Sequence, residues 1–189
     1  MLSKEKGKRL LVELGKNGPC DNALCLRLIA EGADIEMKGR HGWTALTFAA
    51  RCGDIEIMRA LLDKGADPDT RCDEGRTPLI WGYSKVEVLH ALLDHGADVN
   101  AKNEEGVTCL MRAVVSGHDS VVPILIDGGA DISAQDNKGR MAFHYARSEQ
   151  TKSLLLKETG RVFSDAADRG TRKKRTIRRA VTPSKQNGM

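Results

Sequence analysis

Five histidines and five cysteines are the residues of this chain best suited to proton transfer, thiol chemistry or zinc ligation. Their spacing supports none of these. His41, His90, His95, His118 and His144 include no His-x-x-x-His pair that would set two imidazoles on one helix face. Cys20, Cys25, Cys52, Cys72 and Cys109 form no Cys-x-x-Cys pair. An odd, scattered set fits a reducing compartment and small buried fillers better than a disulfide framework or a zinc cluster. Gly7-Lys8-Arg9 lacks the glycine frame and strand of a phosphate loop. No catalytic residue, metal or cofactor is therefore expected. A different chemistry, recognition, is open to Trp43, Trp81, Arg76, Arg112 and Arg140. Aromatic and arginine side chains bury much area at low entropy cost and dominate binding hot spots. What must be found is the architecture that would line them up.

That architecture is written as a repeat. Gly-Ala-Asp occurs at Gly32, Gly65, Gly96 and Gly129, spaced 33, 31 and 33 residues apart. A second series, Gly42, Gly75, Gly106 and Gly139, keeps the same rhythm. Two landmarks in lockstep at this period describe stacked supersecondary units rather than one closed core.

Each period has the same internal grammar. In the stretch from Gly42 to Asp67, the Thr44 hydroxyl can cap a helix whose Leu46, Ala49 and Ala50 fall on one face. Gly53 breaks that helix and Asp54 can cap the next. Ile57, Met58, Leu61 and Leu62 supply the second apolar face, and Gly65 ends it in a left-handed turn. The polar residues that follow suit a projecting hairpin with Gly42 or Gly75 at its bend. The predicted unit is helix, turn, helix, loop.

Gly75-Arg76-Thr77-Pro78-Leu79 and Gly96-Ala97-Asp98-Val99-Asn100-Ala101 resemble the ankyrin repeat, and the likeness extends over roughly residues 20 to 160. The implied fold is all-α, an ankyrin-type solenoid of stacked helix-turn-helix units with projecting β-hairpin loops. The expected domain is 1–160: a degenerate N-terminal cap at about 1–38 (helices at Lys8 to Leu14 and Asn22 to Ala30), units at 39–71, 72–102 and 103–135, and a C-terminal cap at 136–160. Met141 replaces the capping threonine in that last unit. Leu79 to Leu92 is two residues shorter than Leu46 to Leu61, which places a deletion near Tyr83-Ser84-Lys85. The fifth unit is shortened in the same way. The family's loop-tying histidine is replaced by Thr47, Ile80 and Met111 and survives as His144, so modest stability is expected. Pro123 falls four residues after a candidate cap at Asp119, where its missing N–H costs little.

The resemblance implies a non-enzymatic scaffold that binds a partner protein on the concave face of the stack. One position per unit faces that groove and holds Phe48, Trp81, Arg112 and Tyr145; the slot after the fingertip glycine holds Trp43, Arg76, Val107 and Arg140. Fingertip charges run basic, acidic, acidic, basic: Arg40 with His41, Asp73 with Glu74, Glu104 with Glu105, then Asn137 with Lys138. The four carboxylates would steer a basic peptide toward the stack.

The net charge of +4 is unevenly spread: residues 161–189 hold nine Lys/Arg against two Asp, or +7, which leaves −3 for the rest. The run Arg172, Lys173, Lys174, Arg175, Arg178, Arg179 has no apolar periodicity and is expected to form a disordered tail. It suits a plain solubilising tail, an import signal, a contact with nucleic acid or an acidic membrane, or an intramolecular strap across the acidic fingertips. The alternative functional reading is a nuclear regulator or adaptor that works through the tail. No apolar run reaches the ~20 residues a membrane span needs, and the first residues lack a signal-peptide pattern. A monomer in the cytoplasm or nucleus is expected.

Overall fold

The computed structural model of this chain describes residues 2–16, 20–158 and 160; the predicted basic tail lies outside them. Helices come in pairs: α1 (Leu2–Leu14) with α2 (Asn22–Ala30), α3 (Ala45–Cys52) with α4 (Ile55–Asp63), α5 (Pro78–Trp81) with α6 (Val86–Asp94), and α7 (Cys109–Val115) with α8 (Val122–Asp127). Then α9 (Ala142–Tyr145) is followed by a helical run over 149–158. Helices α1, α3, α5, α7 and α9 pack in succession as one layer, and α2, α4, α6 and α8 as a second. The fold is an all-α repeat solenoid. Leu10, Leu46, Ile57, Leu61, Leu79, Leu92, Leu110 and Leu125 fill the space between the layers and are fully buried. Among the described residues no helix is long and apolar enough to cross a membrane.

Local chemistry sets the helix ends. Thr44, Thr77 and Thr108 each accept a hydrogen bond from the N–H three residues on, as N-caps of α3, α5 and α7. Asp54 does the same for α4. The four Gly-Ala-Asp signatures share one exit: glycine takes φ of +80° to +90°, and the alanine N–H returns to the carbonyl five residues earlier (Ala33 to Leu28, Ala66 to Leu61, Ala97 to Leu92, Ala130 to Leu125). A side chain at those glycines would be strained in that backbone region. The projecting loops close on single backbone rungs, such as Cys72 N–H to Arg76 C=O at 3.2 Å and Asn103 N–H to Val107 C=O at 3.1 Å. They form no strand among the described residues.

Three expectations need correction or refinement. Helix α1 starts at Leu2, not Lys8, because its first turns are tied to the first Gly-Ala-Asp loop. Asp34 N–H donates to Ser3 C=O at 3.0 Å, the Ser3 hydroxyl to Gly32 C=O, and Lys6 pairs with Glu31. Gly7 lets these chains approach, since a Cβ there would sit 2.7 Å from the Asp34 carbonyl oxygen. Asp119 does not cap α8: it opens a 3-10 turn (Asp119–Val121), and its carboxylate accepts from the Ser148 hydroxyl of the next unit. Pro123 does occupy the first turn of α8 as expected. Finally, the shortened third unit has a four-residue α5 and an α6 that begins at Val86, where the N-cap position, Lys85, gives no side-chain cap. Helix α9 is likewise four residues long.

The missing imidazoles do not leave the loops untied. Three ladders run from unit to unit. Backbone N–H groups of Asp73, Glu104 and Asn137 donate to the carbonyls of His41, Glu74 and Glu105 on the preceding fingertip. Lys38, Arg71 and Lys102 reach forward to the carbonyls of Arg71, Lys102 and Gln135. Glu36, Asp69 and Asn100 accept from the N–H of Asp67, Asp98 and Asp131. Each such bond contributes about 0.5–1.5 kcal/mol net, and stacked units depend on neighbour contacts of this kind.

Arg71 is the most connected member, bonded at 3.1 Å to Gly75 C=O and at 2.6 Å to Lys102 C=O. Arg71→Ala is expected to cost about 1 kcal/mol and to lower Tm by roughly 2–4 °C in a thermal scan. The exposed Lys4→Ala on α1 serves as the control and should leave Tm unchanged. Equal Tm values for the two variants would remove the ladder from the stability of the stack.

Candidate functional site

The Thr44 cap launches α3, whose first full turn presents Phe48, while Trp43 stands just before the cap. Pro78 starts α5, which ends at Trp81. Packing of α3 against α5 brings the three rings together. Trp43 lies 4.8 Å from Phe48 in an edge-on arrangement and 4.8 Å from Trp81 at an interplanar angle of 57°. Arg51, one turn beyond Phe48, stacks its guanidinium 5.0 Å above Trp43 and 5.9 Å from Trp81. Arg76 covers the Trp81 ring at 4.7 Å and pairs with Glu74 at 2.9 Å. All three rings are half-buried, so they glue two units together and still show a surface to solvent. The Trp81 indole N–H is buried without an acceptor among the described residues. Such a group costs roughly 1–3 kcal/mol, which stacking of the rings offsets.

The predicted row does not continue as one surface; it divides into three. Arg112 on α7 stacks on Tyr83 at 5.4 Å, and Tyr83 meets the His118 ring at 5.3 Å. Arg140 and Tyr145 form a separate cluster on a buried carboxylate, Asp136. The Tyr145 hydroxyl donates to Asp136 at 2.5 Å, the Arg140 side chain donates through Nε at 2.9 Å and contacts the same oxygen through Nη2 at 2.8 Å, and the Lys138 and Arg140 N–H groups bond the other oxygen. Arg140 also covers the Tyr145 ring at 4.8 Å. The Tyr145 hydroxyl, joined by these Arg140 and Lys138 donors, holds the Asp136 carboxyl well below the usual carboxylate range. Asp136 thus braces its hairpin, as Asn103 does in the unit before, where its Oδ1 accepts from Glu105 and Val107 N–H.

Arg51, Tyr83 and Asp136 were missed in the sequence. Arg51 had a readable signal, three residues after Phe48 on one helix face. Asp136 had one too, since it keeps register with Asn103. Nothing local marks Tyr83, which reaches Arg112 on the following unit.

The fingertip ladder sets the charged pairs side by side. Asp73, Glu74, Glu104 and Glu105 are exposed on adjacent tips, with Arg40 exposed at one end and Lys138 at the other. Glu104, Glu105, Asn137, Lys138 and Arg140 border a hollow of about 300 Å3. Of the cysteines, Cys25, Cys72 and Cys109 are buried fillers as expected, and burial pushes the Cys25 thiol up to about 12. Cys20 is half-buried against the core and Cys52 exposed; both line a cavity of about 500 Å3 between the first two units, so the filler reading fails for Cys52. No group of three or more His, Cys, Asp or Glu able to hold a metal ion occurs among the described residues.

Comparison with known proteins agrees with this architecture. Two family models match, one described as ankyrin repeats (3 copies) over residues 12–103 and one as ankyrin repeats (many copies) over 92–146. The chain is 30% identical over 132 residues to the platypus (Ornithorhynchus anatinus) "Ankyrin repeat, SAM and basic leucine zipper domain-containing protein 1", covering 67% of this chain and 27% of that protein. It is 30% identical over 79 residues to the human "Ankyrin repeat domain-containing protein 63", covering 41% of this chain and 21% of the relative. It is 49% identical over 43 residues to the human "Mitochondrial disaggregase", covering 23% and 6% respectively. The chain therefore spans about a quarter or less of the length of these relatives.

The depressed Asp136 carboxyl has a consequence for acid stability. A carboxyl whose folded-state value lies below its unfolded value of about 3.9 contributes stability above that pH and loses it as pH falls. Asp136→Asn should thus lower the urea midpoint near pH 7, and the gap from wild type should shrink toward about pH 3. A gap of constant size across that range would show that Asp136 acts through shape rather than charge.

Proposed function

This chain belongs to the ankyrin repeat family, whose repeats generally mediate protein–protein interaction, and we propose that it is a non-enzymatic scaffold binding a partner protein on the face built from its first helices and fingertips. The proposed organisation is a degenerate first unit at 1–38, units at 39–71, 72–102 and 103–135, and a closing unit at 136–160. The observation that carries the reading is the half-buried cluster of Trp43, Phe48 and Trp81 with Arg51 and Arg76 stacked on it. Rigid aromatic rings backed by guanidinium groups need little further ordering on binding, which is what an interface anchor requires. Arg112, Arg140 and Tyr145 would add separate contacts farther along the stack. The exposed Arg40, Asp73, Glu74, Glu104 and Glu105 would select partners by charge.

The uneven charge, +7 over residues 161–189 against −3 elsewhere, favours a second reading in which Arg172 to Arg179 provide nuclear import or a nucleic-acid contact. Affinity capture with the full chain and with a chain ending at Gly160 separates the two, since a partner of the repeats is retained by both. Among retained partners, the combined Trp43→Ala and Trp81→Ala change should weaken binding about tenfold or more with unchanged far-UV circular dichroism. Binding that survives this pair of substitutions in a folded chain would rule out the aromatic cluster as the anchor.

A further inference from the structure

Two cations on the first-helix layer have no internal purpose as counter-ions. Arg51 and Arg112 make no ion pair with any carboxylate of the described residues, whereas Arg76 and Arg140 are taken by Glu74 and Asp136. Both free guanidinium groups are nonetheless fixed in place by stacking, Arg51 on Trp43 and Arg112 on Tyr83. Between them in the chain comes Lys85, whose amine bonds the Arg51 carbonyl oxygen and makes no ion pair among the described residues. Tyr83, which Arg112 covers, stands two residues before Lys85, so Arg51, Lys85 and Arg112 are tied in succession from the end of α3 through the α5–α6 turn to α7 as a cationic strip. A stacked arginine keeps its N–H edges available for a carboxylate and has already lost much of its side-chain freedom.

The charge order runs the other way at the fingertips, where Asp73, Glu104 and Glu105 are exposed and form no ion pair among the described residues. A continuous polyanion such as a nucleic acid would meet both strips and be repelled by one. A short peptide can place its acidic side chains on the helices alone.

We propose that the face formed by α3, α5 and α7 docks a short acidic segment of a partner protein, with Arg51 and Arg112 as its carboxylate-binding residues. This rests on the repeat face being the interaction surface and reverses the expectation, drawn from the fingertip carboxylates, that the steering selects a basic peptide.

The test is selection of a random dodecapeptide phage library against the full chain and against the full chain carrying Arg51→Gln and Arg112→Gln, both checked for folding by circular dichroism. Because both baits carry the same basic tail, tail-driven selection cancels. The expected result is enrichment of Asp and Glu on the wild-type bait only, with a selected peptide binding the double variant about tenfold more weakly by fluorescence anisotropy. Acidic enrichment equal on both baits would place the recognition elsewhere and overturn the proposal. So would selection of basic or uncharged peptides whose binding depends on Trp43 and Trp81, although the scaffold reading would then stand. Failure to enrich any peptide would remove both. A labelled oligothymidylate whose binding drops in the double variant would reassign the strip to nucleic acid.

Discussion

The tie between one unit and the next is the constraint on which the rest of this molecule depends. No pair of short helices here can bury its own apolar faces: α5 and α9 are four residues long, far below the length at which a helix is stable alone in water. They persist because Leu79, Ile80 and Ala142 are buried in a core shared with neighbouring units. Packing alone would let the units slide or twist. The three loop ladders oppose that, since every rung joins one loop to the next. Units tied in this way hold residues of neighbouring helices at fixed positions against one another.

That consequence is what makes a recognition surface from repeats. Trp43 and Trp81 lie in successive units and 38 residues apart in sequence, yet their rings touch because α3 and α5 are adjacent in one layer. The contact serves both stability and exposure. Each ring loses one side to the other unit and keeps part of the remainder toward solvent. A surface whose anchors double as inter-unit glue is rigid before any partner arrives, which reduces the ordering cost of association.

How much of this could be read from the sequence follows from how local each cause is. The caps at Thr44, Thr77 and Thr108 and the glycine exits were legible because donor and acceptor lie within a few residues of each other. The early start of α1 was not, because Leu2 to Lys8 shows no apolar stripe and what holds it is a loop near residue 34. Asp119 has the residue type and position of an N-cap, but Ser148 of the following unit takes its carboxylate. Of the site, the individual residues were readable while their grouping was not. Arg140 and Tyr145 looked like two more positions in the groove row; the structure joins them through Asp136, which braces a hairpin.

The places where the chain departs from its own repeat are also the places where the cationic strip arises. Helix α3 runs to Cys52, so Arg51 sits on its last turn; α5 stops at Trp81 and has no such turn. The chain instead passes through Gly82, where an added Cβ would meet Val88 at 2.3 Å, and only then rises into Tyr83 and Lys85. The tight passage turns Tyr83 toward Arg112 and Lys85 back across Gly53 to the end of α3. A full-length α5 would supply another helical turn in that space. Shortening the third unit thus gives up an N-cap and several helical hydrogen bonds, and in exchange it sets Lys85 against the end of α3 and Tyr83 against Arg112. Local rules broken in a cluster, with a common geometric result, mark the part of a repeat protein that is shaped by something other than stacking.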